Sequence, residues 1–277
     1  MCFGNKFVVF FFYLAWCVYC FSFSFSFILL LIFFKLFFFG DFLLMVSIIE
    51  GDSISQVWIK LLDEIINNGT PHVHDERNNG TTELLNAVCV IHDPFNVKHH
   101  DFFSFTKALE QLKYIPIPNG FFWGKDELEI YSKQFLNPEN ENGFIYTYGN
   151  RLRKFHGIDQ INAVIDRLNE CRNSRRATCT TWYPRDDCVS GEVPCLIMVD
   201  FKIRDGVLYM SVVYRSQDAY GAFFSNLCGL ANLAAFVAHG TDCVVGDIIL
   251  HAVSSHIYDL DLESAHNVIR KNLNLLY

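Results

Sequence analysis

Pro194 to Asn226 reads PCLIMVDFKIRDGVLYMSVVYRSQDAYGAFFSN. Two apolar runs, rich in β-branched and aromatic residues, flank the turn Arg204-Asp205-Gly206. A glycine at a short turn between such runs predicts a β-hairpin. The second run then ends in Arg215, Ser216 and Asp218, with Asn226 shortly beyond. An arginine and three hydrogen-bonding side chains at the end of a strand that otherwise reads as core call for an anion or a polar ring as partner.

Outward from the hairpin, GAFFSNLCGLANLAAFVAHG reads as a long, nearly apolar helix, CVVGDIILHAVSSHIY as a strand and DLESAHNVIRKNL as a closing helix. Upstream, Ile54, Val57, Trp58, Leu61, Leu62, Ile65 and Ile66 recur at helical spacing behind a polar start at Asp52 or Ser53. A polar loop, NNGTPHVHDERNNGTTE, separates that helix from a strand in LLNAVCVIH. DFFSFTKALEQL and DELEIYSKQFL read as short amphipathic helices, Ile158 to Leu168 carries helical periodicity with an end near Asn173, and RRATCTTWY reads as a strand. Helices and strands mix without regular βαβ alternation, which predicts an α+β fold.

The 277 residues carry a net charge of -8, 51% hydrophobic and 19% charged residues. That composition fits a globular chain and excludes one whose main task is coating nucleic acid, since neutralising phosphates needs a basic surface. Ten cysteines are scattered, without zinc-ligand spacing, so no metal is expected and most read as reduced core thiols of a cytoplasmic protein. Residues 1–44 are set apart: Phe7 to Phe34 contains no charged residue, and FSFSFSFILLLIFF alternates as folded soluble domains rarely do. By length it passes for a membrane-spanning helix, which would anchor the chain to a membrane. Alternatively Met45 is the true start and residues 1–44 are a low-complexity extension or a mis-called start, so the folded domain is read as 45–277. Sequons at Asn68 and Asn79 matter only on the secretory route and otherwise mark turns.

Taken singly, the polar residues have bland explanations. Asn226 suits a helix cap or a satisfied core amide, Arg215 a structural ion pair, the adjacent Arg175 and Arg176 a solvated face, and Cys195 ordinary packing. Together they suggest a phosphate site, because guanidinium binds phosphate oxygens in bidentate fashion, and Arg77 in a glycine-containing loop adds a further donor. A nearby arginine also favours the thiolate of Cys195. His256 and Tyr258, two apart on a strand, share one face and can point into one pocket.

These residues stand in TYGNRLR, SRRATCTTW, EVPCLIMVDFKIRDG, YRSQDAYGAFFSN and SSHIYDLD, and in that order the segments resemble thymidylate synthases, above all the shorter archaeal-type branch of the thymidylate synthase and deoxycytidylate hydroxymethylase family. The resemblance runs from about Met45 to the C-terminus. It implies a mixed sheet flanked by helices, a sheet-mediated homodimer, and methylation of dUMP to dTMP by 5,10-methylenetetrahydrofolate, giving dihydrofolate. It implies that Cys195 attacks C6 of uracil, that Arg215 holds the phosphate and lowers the thiol's pKa, and that Ser216 and Arg77 add phosphate contacts. Arg175 and Arg176 reach the partner subunit's phosphate, Asn226 reads the pyrimidine edge, Asp218 supports the pyrimidine and folate region, and His256 and Tyr258 bind the ribose hydroxyl. Tyr148 matches a tyrosine near the proton-transfer network. One carboxamide complements the N3 donor and O4 acceptor of uracil, so Asn226 favours dUMP over dCMP.

The chain also departs from the bacterial branch. No motif supplies its general-acid/base glutamate, for which Glu127 and Glu129 are equal candidates, and Tyr214 and Leu196 stand where that branch has glutamine and histidine. Rival readings are a pyrimidine nucleotide hydroxymethylase, a hydrolase using Cys195 and His256, and a membrane-tethered nucleotide-binding protein without catalysis.

Overall fold

The computed structural model describes residues 46–72, 79–95, 115–140 and 143–277. The segment 1–44, Arg77 and the helix expected in DFFSFTKALEQL lie outside these residues. Ser47–Tyr277 forms one compact unit, built on a mixed eight-stranded sheet in the order β1-β3-β8-β6-β5-β4, with β2 pairing β3 and β7 pairing β8.

The hairpin is central to it. β5 (Leu196–Arg204) and β6 (Val207–Tyr214) pair antiparallel, joined by Asp205 at φ 50° and Gly206 at φ 78°. Two successive left-handed residues give the turn whose twist matches that of the strands. β8 (Val244–Tyr258) runs parallel to β6 and antiparallel to β3 (Thr81–Ile91). The short β4 (Thr178–Thr180) closes one edge against β5 and β1 (Ser47–Gly51) lies parallel to β3. β7 (Gln217–Asp218) continues the line of β6 along β8, where Asp218 pairs with His256.

Helices pack against the inner face of the sheet. α1 (Ile54–Asn68) starts at Ser53, whose hydroxyl accepts from Gln56 N at 3.2 Å, and buries Ile54, Val57, Trp58, Leu61, Leu62 and Ile65, the stripe its spacing predicts. α6 (Phe223–Gly240) is apolar and long enough by composition to cross a membrane. Instead it is buried on nearly all sides, with Phe223, Phe224, Leu227 and Leu230 fully enclosed, as befits the central helix of a large core. α2 (Lys125–Gln134) packs on α6, and α7 (Leu262–Lys271) on α1.

Several elements differ from the sequence expectations. The residues before α1 form β1, too short at five residues for alternation to reveal it. The expected polar loop contains β2 (Thr70–His72) and the first three residues of β3. α4 is Gln160–Glu170, capped by Asp159, so Ile158 lies outside it and is exposed. Only Thr178–Thr180 of RRATCTTWY pairs as a strand, and the four-residue α5 (Pro184–Asp187) follows it. Of the cysteines, Cys89, Cys179, Cys228 and Cys243 are buried, Cys171 and Cys188 are exposed, and Cys195 is half-buried.

Candidate active site

Cys195 immediately precedes β5, and Arg215 immediately follows β6, so the hairpin brings both to the same end of the sheet. Their backbones are joined, Arg215 N donating to Cys195 O at 2.9 Å. The guanidinium folds back along the Cys195 segment: Nε donates to Pro194 O and Nη2 to Val193 O, each at 3.0 Å, and Nη2 lies 3.8 Å from Cys195 Sγ. A register shift between Leu196 and Met198 bends the strand next to the thiol, the kind of irregularity that re-aims a side chain. A cation fixed at this distance favours thiolate over thiol. Among the described residues Nη1 makes no hydrogen bond, which leaves its two hydrogens for an anion.

Tyrosines surround the thiol. Tyr146 donates to Val193 O at 3.2 Å, and burial, then the charge of Cys195, push its hydroxyl up to about 12. Tyr148 opens the short α3 (Tyr148–Arg153) behind the N-cap Thr147, and its hydroxyl is held well above the usual range by burial and then by Cys195. Burial raises Tyr214 as well, followed by its phenolic neighbours and Cys195. Tyr131 on α2 is raised by burial, Tyr146 and Cys195 in that order. All of these phenols keep their protons across the physiological range.

Glycine decides how close these elements come. A Cβ on Gly149 would sit 2.0 Å from Gln134 O, so only glycine lets α3 abut the end of α2 and set Tyr148 against Phe135, ring centroids 5.3 Å apart. A Cβ on Gly229 would strike the Phe135 ring at 2.3 Å. That contact, with the bond from Asn232 Nδ2 to Ser132 O at 3.0 Å, clamps α2 to α6. Asn226 lies in the first turn of α6 and is buried; it does not cap the helix, since Ala222 takes that place. Its Oδ1 accepts from Tyr131 Oη at 2.7 Å.

β7 is fixed from both sides. Ala219 N donates to His256 O at 2.8 Å, and Trp58 Nε1 donates to Ala219 O at 2.7 Å. Asp218 Oδ1 accepts from Gly221 N at 2.8 Å. Burial raises the Asp218 carboxyl, opposed by that bond and by His256. The rings of His256 and Tyr258 meet edge to face at 4.9 Å, the shared face expected of alternate strand residues. Ser216 follows Arg215 in the bend before β7.

Other sequence-predicted residues lie differently. Arg175 and Arg176 are exposed on the approach to β4 and form no ion pair among the described residues. Glu129 pairs with Lys133 at 2.8 Å and Glu127 is exposed. It is Tyr131 of this helix, rather than either glutamate, that meets Asn226. Beside it opens a cleft of about 530 Å³, lined by Trp123, Glu127, Ile130, Tyr131, Lys133 and Gln134 among others. Among the described residues no group of His, Cys, Asp or Glu side chains is arranged to hold a metal ion.

The sequence profile of the family described as thymidylate synthase matches residues 56–275. The chain belongs to the thymidylate synthase family. It is 44% identical over 222 residues to a protein of Methanothermobacter marburgensis named "Putative thymidylate synthase", covering 80% of this chain and 97% of that one. It is similar to proteins of the same name from Methanothermobacter thermautotrophicus, at 45% with 80% and 98% coverage, and Methanocaldococcus jannaschii, at 34% with 76% and 90%. The thymidylate synthase family is one of methyltransferases, and the mixed sheet flanked by helices agrees with membership.

In this thymidylate synthase homologue, the sequence pointed to Cys195, Arg215 and Asn226 but not to Tyr131 and Tyr146, which the fold bonds to Asn226 and to Val193 O. Tyr131 stands in an amphipathic helix, where an aromatic residue at helical spacing reads as core. Tyr146 stands two residues before Tyr148 in YTYG, a signal that alternation alone would have caught.

Proposed function

We propose that this chain is a thymidylate synthase, converting dUMP and 5,10-methylenetetrahydrofolate to dTMP and dihydrofolate. The observation that carries the reading is the Cys195–Arg215 pair: a half-buried sulfur 3.8 Å from a guanidinium that is locked by two backbone carbonyls and has donors to spare. The thiolate attacks C6 of uracil, the electron pair moves through C5 onto O4, and C5 becomes the nucleophile that captures the one-carbon unit. Loss of the C5 proton breaks the bond between the transferred carbon and the folate nitrogen, and hydride transfer from the released tetrahydrofolate to that carbon completes the methyl group as the sulfur leaves C6, giving dTMP and dihydrofolate.

Arg215, Ser216 and Arg77 hold the phosphate, and Asn226 pairs with the pyrimidine edge. His256 and Tyr258 take the ribose hydroxyl. Asp218 steadies the pyrimidine and folate region, and Tyr148 holds and passes protons near C5. The aromatic and aliphatic wall beside Tyr131 offers a surface for the folate ring.

A homodimer completes the site. Ile48, Leu85, Tyr209, Ile249 and Val253 are exposed on the face of the sheet away from the helices, an apolar patch of the sort that marks a protein interface. Pairing two copies there gives Arg175 and Arg176 a phosphate in the partner subunit, which accounts for two exposed arginines that form no ion pair among the described residues. We take residues 45–277 as the catalytic domain, acting in the cytoplasm, with 1–44 dispensable to it.

Incubation of the purified protein with dUMP and methylenetetrahydrofolate tests the reading, following dihydrofolate absorbance and the nucleotide product. Dihydrofolate and dTMP are expected. Tetrahydrofolate with a hydroxymethyl nucleotide would make the chain a hydroxymethylase, and no turnover would leave it a binding protein.

A further inference from the structure

A carboxamide distinguishes uracil from cytosine only if something fixes which of its ends is oxygen. Uracil offers a donor at N3 and an acceptor at O4, whereas cytosine offers the reverse, and a freely rotating amide serves either base. Asn226 is not free to rotate. Its Oδ1 accepts the Tyr131 hydroxyl at 2.7 Å, and this is the one hydrogen bond of its side chain among the described residues.

The surroundings of Tyr131 make that orientation the favourable one. Its ring is packed against Trp123 at 5.3 Å and Phe135 at 5.8 Å, neither of which has an acceptor for the phenolic hydrogen, and its hydroxyl donates to Asn226 Oδ1 although the phenols of Tyr146, Tyr148 and Tyr214 are within electrostatic reach. Turning the amide over would set Nδ2 against the phenol oxygen, break the bond that the phenol now donates and oblige its hydrogen to turn to another acceptor. The phenol also stays protonated, raised first by burial and then by Tyr146 and Cys195, so it does not become a pure acceptor. The helix clamp through Gly229, Phe135, Asn232 and Ser132 keeps the pair at bonding distance.

We infer that Tyr131 is the positioning residue that sets base choice, holding Asn226 with Oδ1 beside the phenol and so presenting one acceptor and one donor in the order uracil requires. The second lone pair of Oδ1 meets N3–H and Nδ2 meets O4, while cytosine meets the same edge with both partners reversed. This rests on the assignment of dUMP as substrate and adds a residue that acts on the base only through Asn226.

Calorimetric titration of dUMP and of dCMP into the wild-type protein, Tyr131→Phe, Asn226→Ala and the double variant tests it. Wild-type protein is expected to prefer dUMP, and Y131F to lose roughly fivefold to tenfold of that preference, the worth of one hydrogen bond. In the N226A background the same change should leave the ratio unmoved. A purely structural tyrosine would weaken both nucleotides alike, so a folded Y131F with an unchanged ratio overturns the inference. A thermal melt verifies folding, and Tyr131→Met, also without the hydroxyl, supplies the same readout if the phenylalanine variant does not fold. Wild-type protein that binds no dUMP overturns the substrate assignment itself, and the inference with it.

Discussion

The two groups of arginines in this protein are treated in opposite ways. Arg215 is half-buried and tied to Pro194 O and Val193 O before any ligand arrives, whereas Arg175 and Arg176 are exposed and unpaired among the described residues. Pre-orienting the first group removes an ordering cost from binding and keeps a positive charge beside the sulfur at all times. The second group has no such scaffold among the described residues. On the proposed dimer, the contrast separates what one chain completes alone from what a second copy would supply.

The largest expected effect tests the completed half. Cys195→Ser should lower turnover by about 10⁴-fold or more while dUMP still binds; residual turnover near wild type, measured by dihydrofolate absorbance, would remove the covalent step. Next comes the support behind it. Arg151 and Asp187 form a buried bidentate pair at 2.7 and 3.2 Å, Tyr183 N adds a bond to Asp187 at 2.7 Å, and the guanidinium lies over Phe155 and near Tyr146. Asp187→Ala strands a buried charge and should cost about 3–5 kcal/mol in urea unfolding, a loss under about 1 kcal/mol arguing against a structural pair.

The exposed half is sharpened by a mixing experiment. Arg175→Ala with Arg176→Ala should weaken dUMP binding about tenfold to hundredfold, as loss of charged hydrogen bonds does. Mixed with Cys195→Ser subunits, it should recover roughly a quarter of wild-type activity, because half of the dimers carry one intact site. No recovery, with mixed dimers demonstrably formed, would place these arginines in their own subunit's site.

The smallest effect concerns a charged cluster at the other end of the sheet. His92 is raised above its ordinary value, chiefly by its hydrogen bond to Glu50 at 2.7 Å and, against the opposing effect of burial, by Asp247 at 3.4 Å. A histidine raised on folding stabilises fully below its unfolded pKa of about 6.5 and loses that contribution as pH rises through the folded value. His92→Gln should therefore lower the melting temperature at pH 6 and progressively less at higher pH, by under about 1 kcal/mol for so exposed a pair. A deficit that grows with pH would contradict the assignment.

Sequence periodicity recovered the elements whose apolar faces are long: the hairpin, α1, α6 and β8. It failed for β1, whose five residues gain their identity only by lying parallel to β3. At the site, Cys195 and Arg215 were legible because a cysteine and an arginine at opposite ends of one hairpin become neighbours once the turn is recognised. Glu129 is partly buried and pairs with Lys133, Glu127 lines the cleft beside Tyr131, and it is Tyr131 that bonds to Asn226.

The amino-acid sequence by itself determined the hairpin, the buried helix beyond it and the order of the chemical groups along them, since turn geometry and apolar spacing are local properties of the chain. The tertiary structure alone decided which phenol meets Asn226 and which way its amide faces. That outcome depends on two helices approaching over Gly229, and such an approach joins residues nearly a hundred positions apart, beyond the reach of any local pattern.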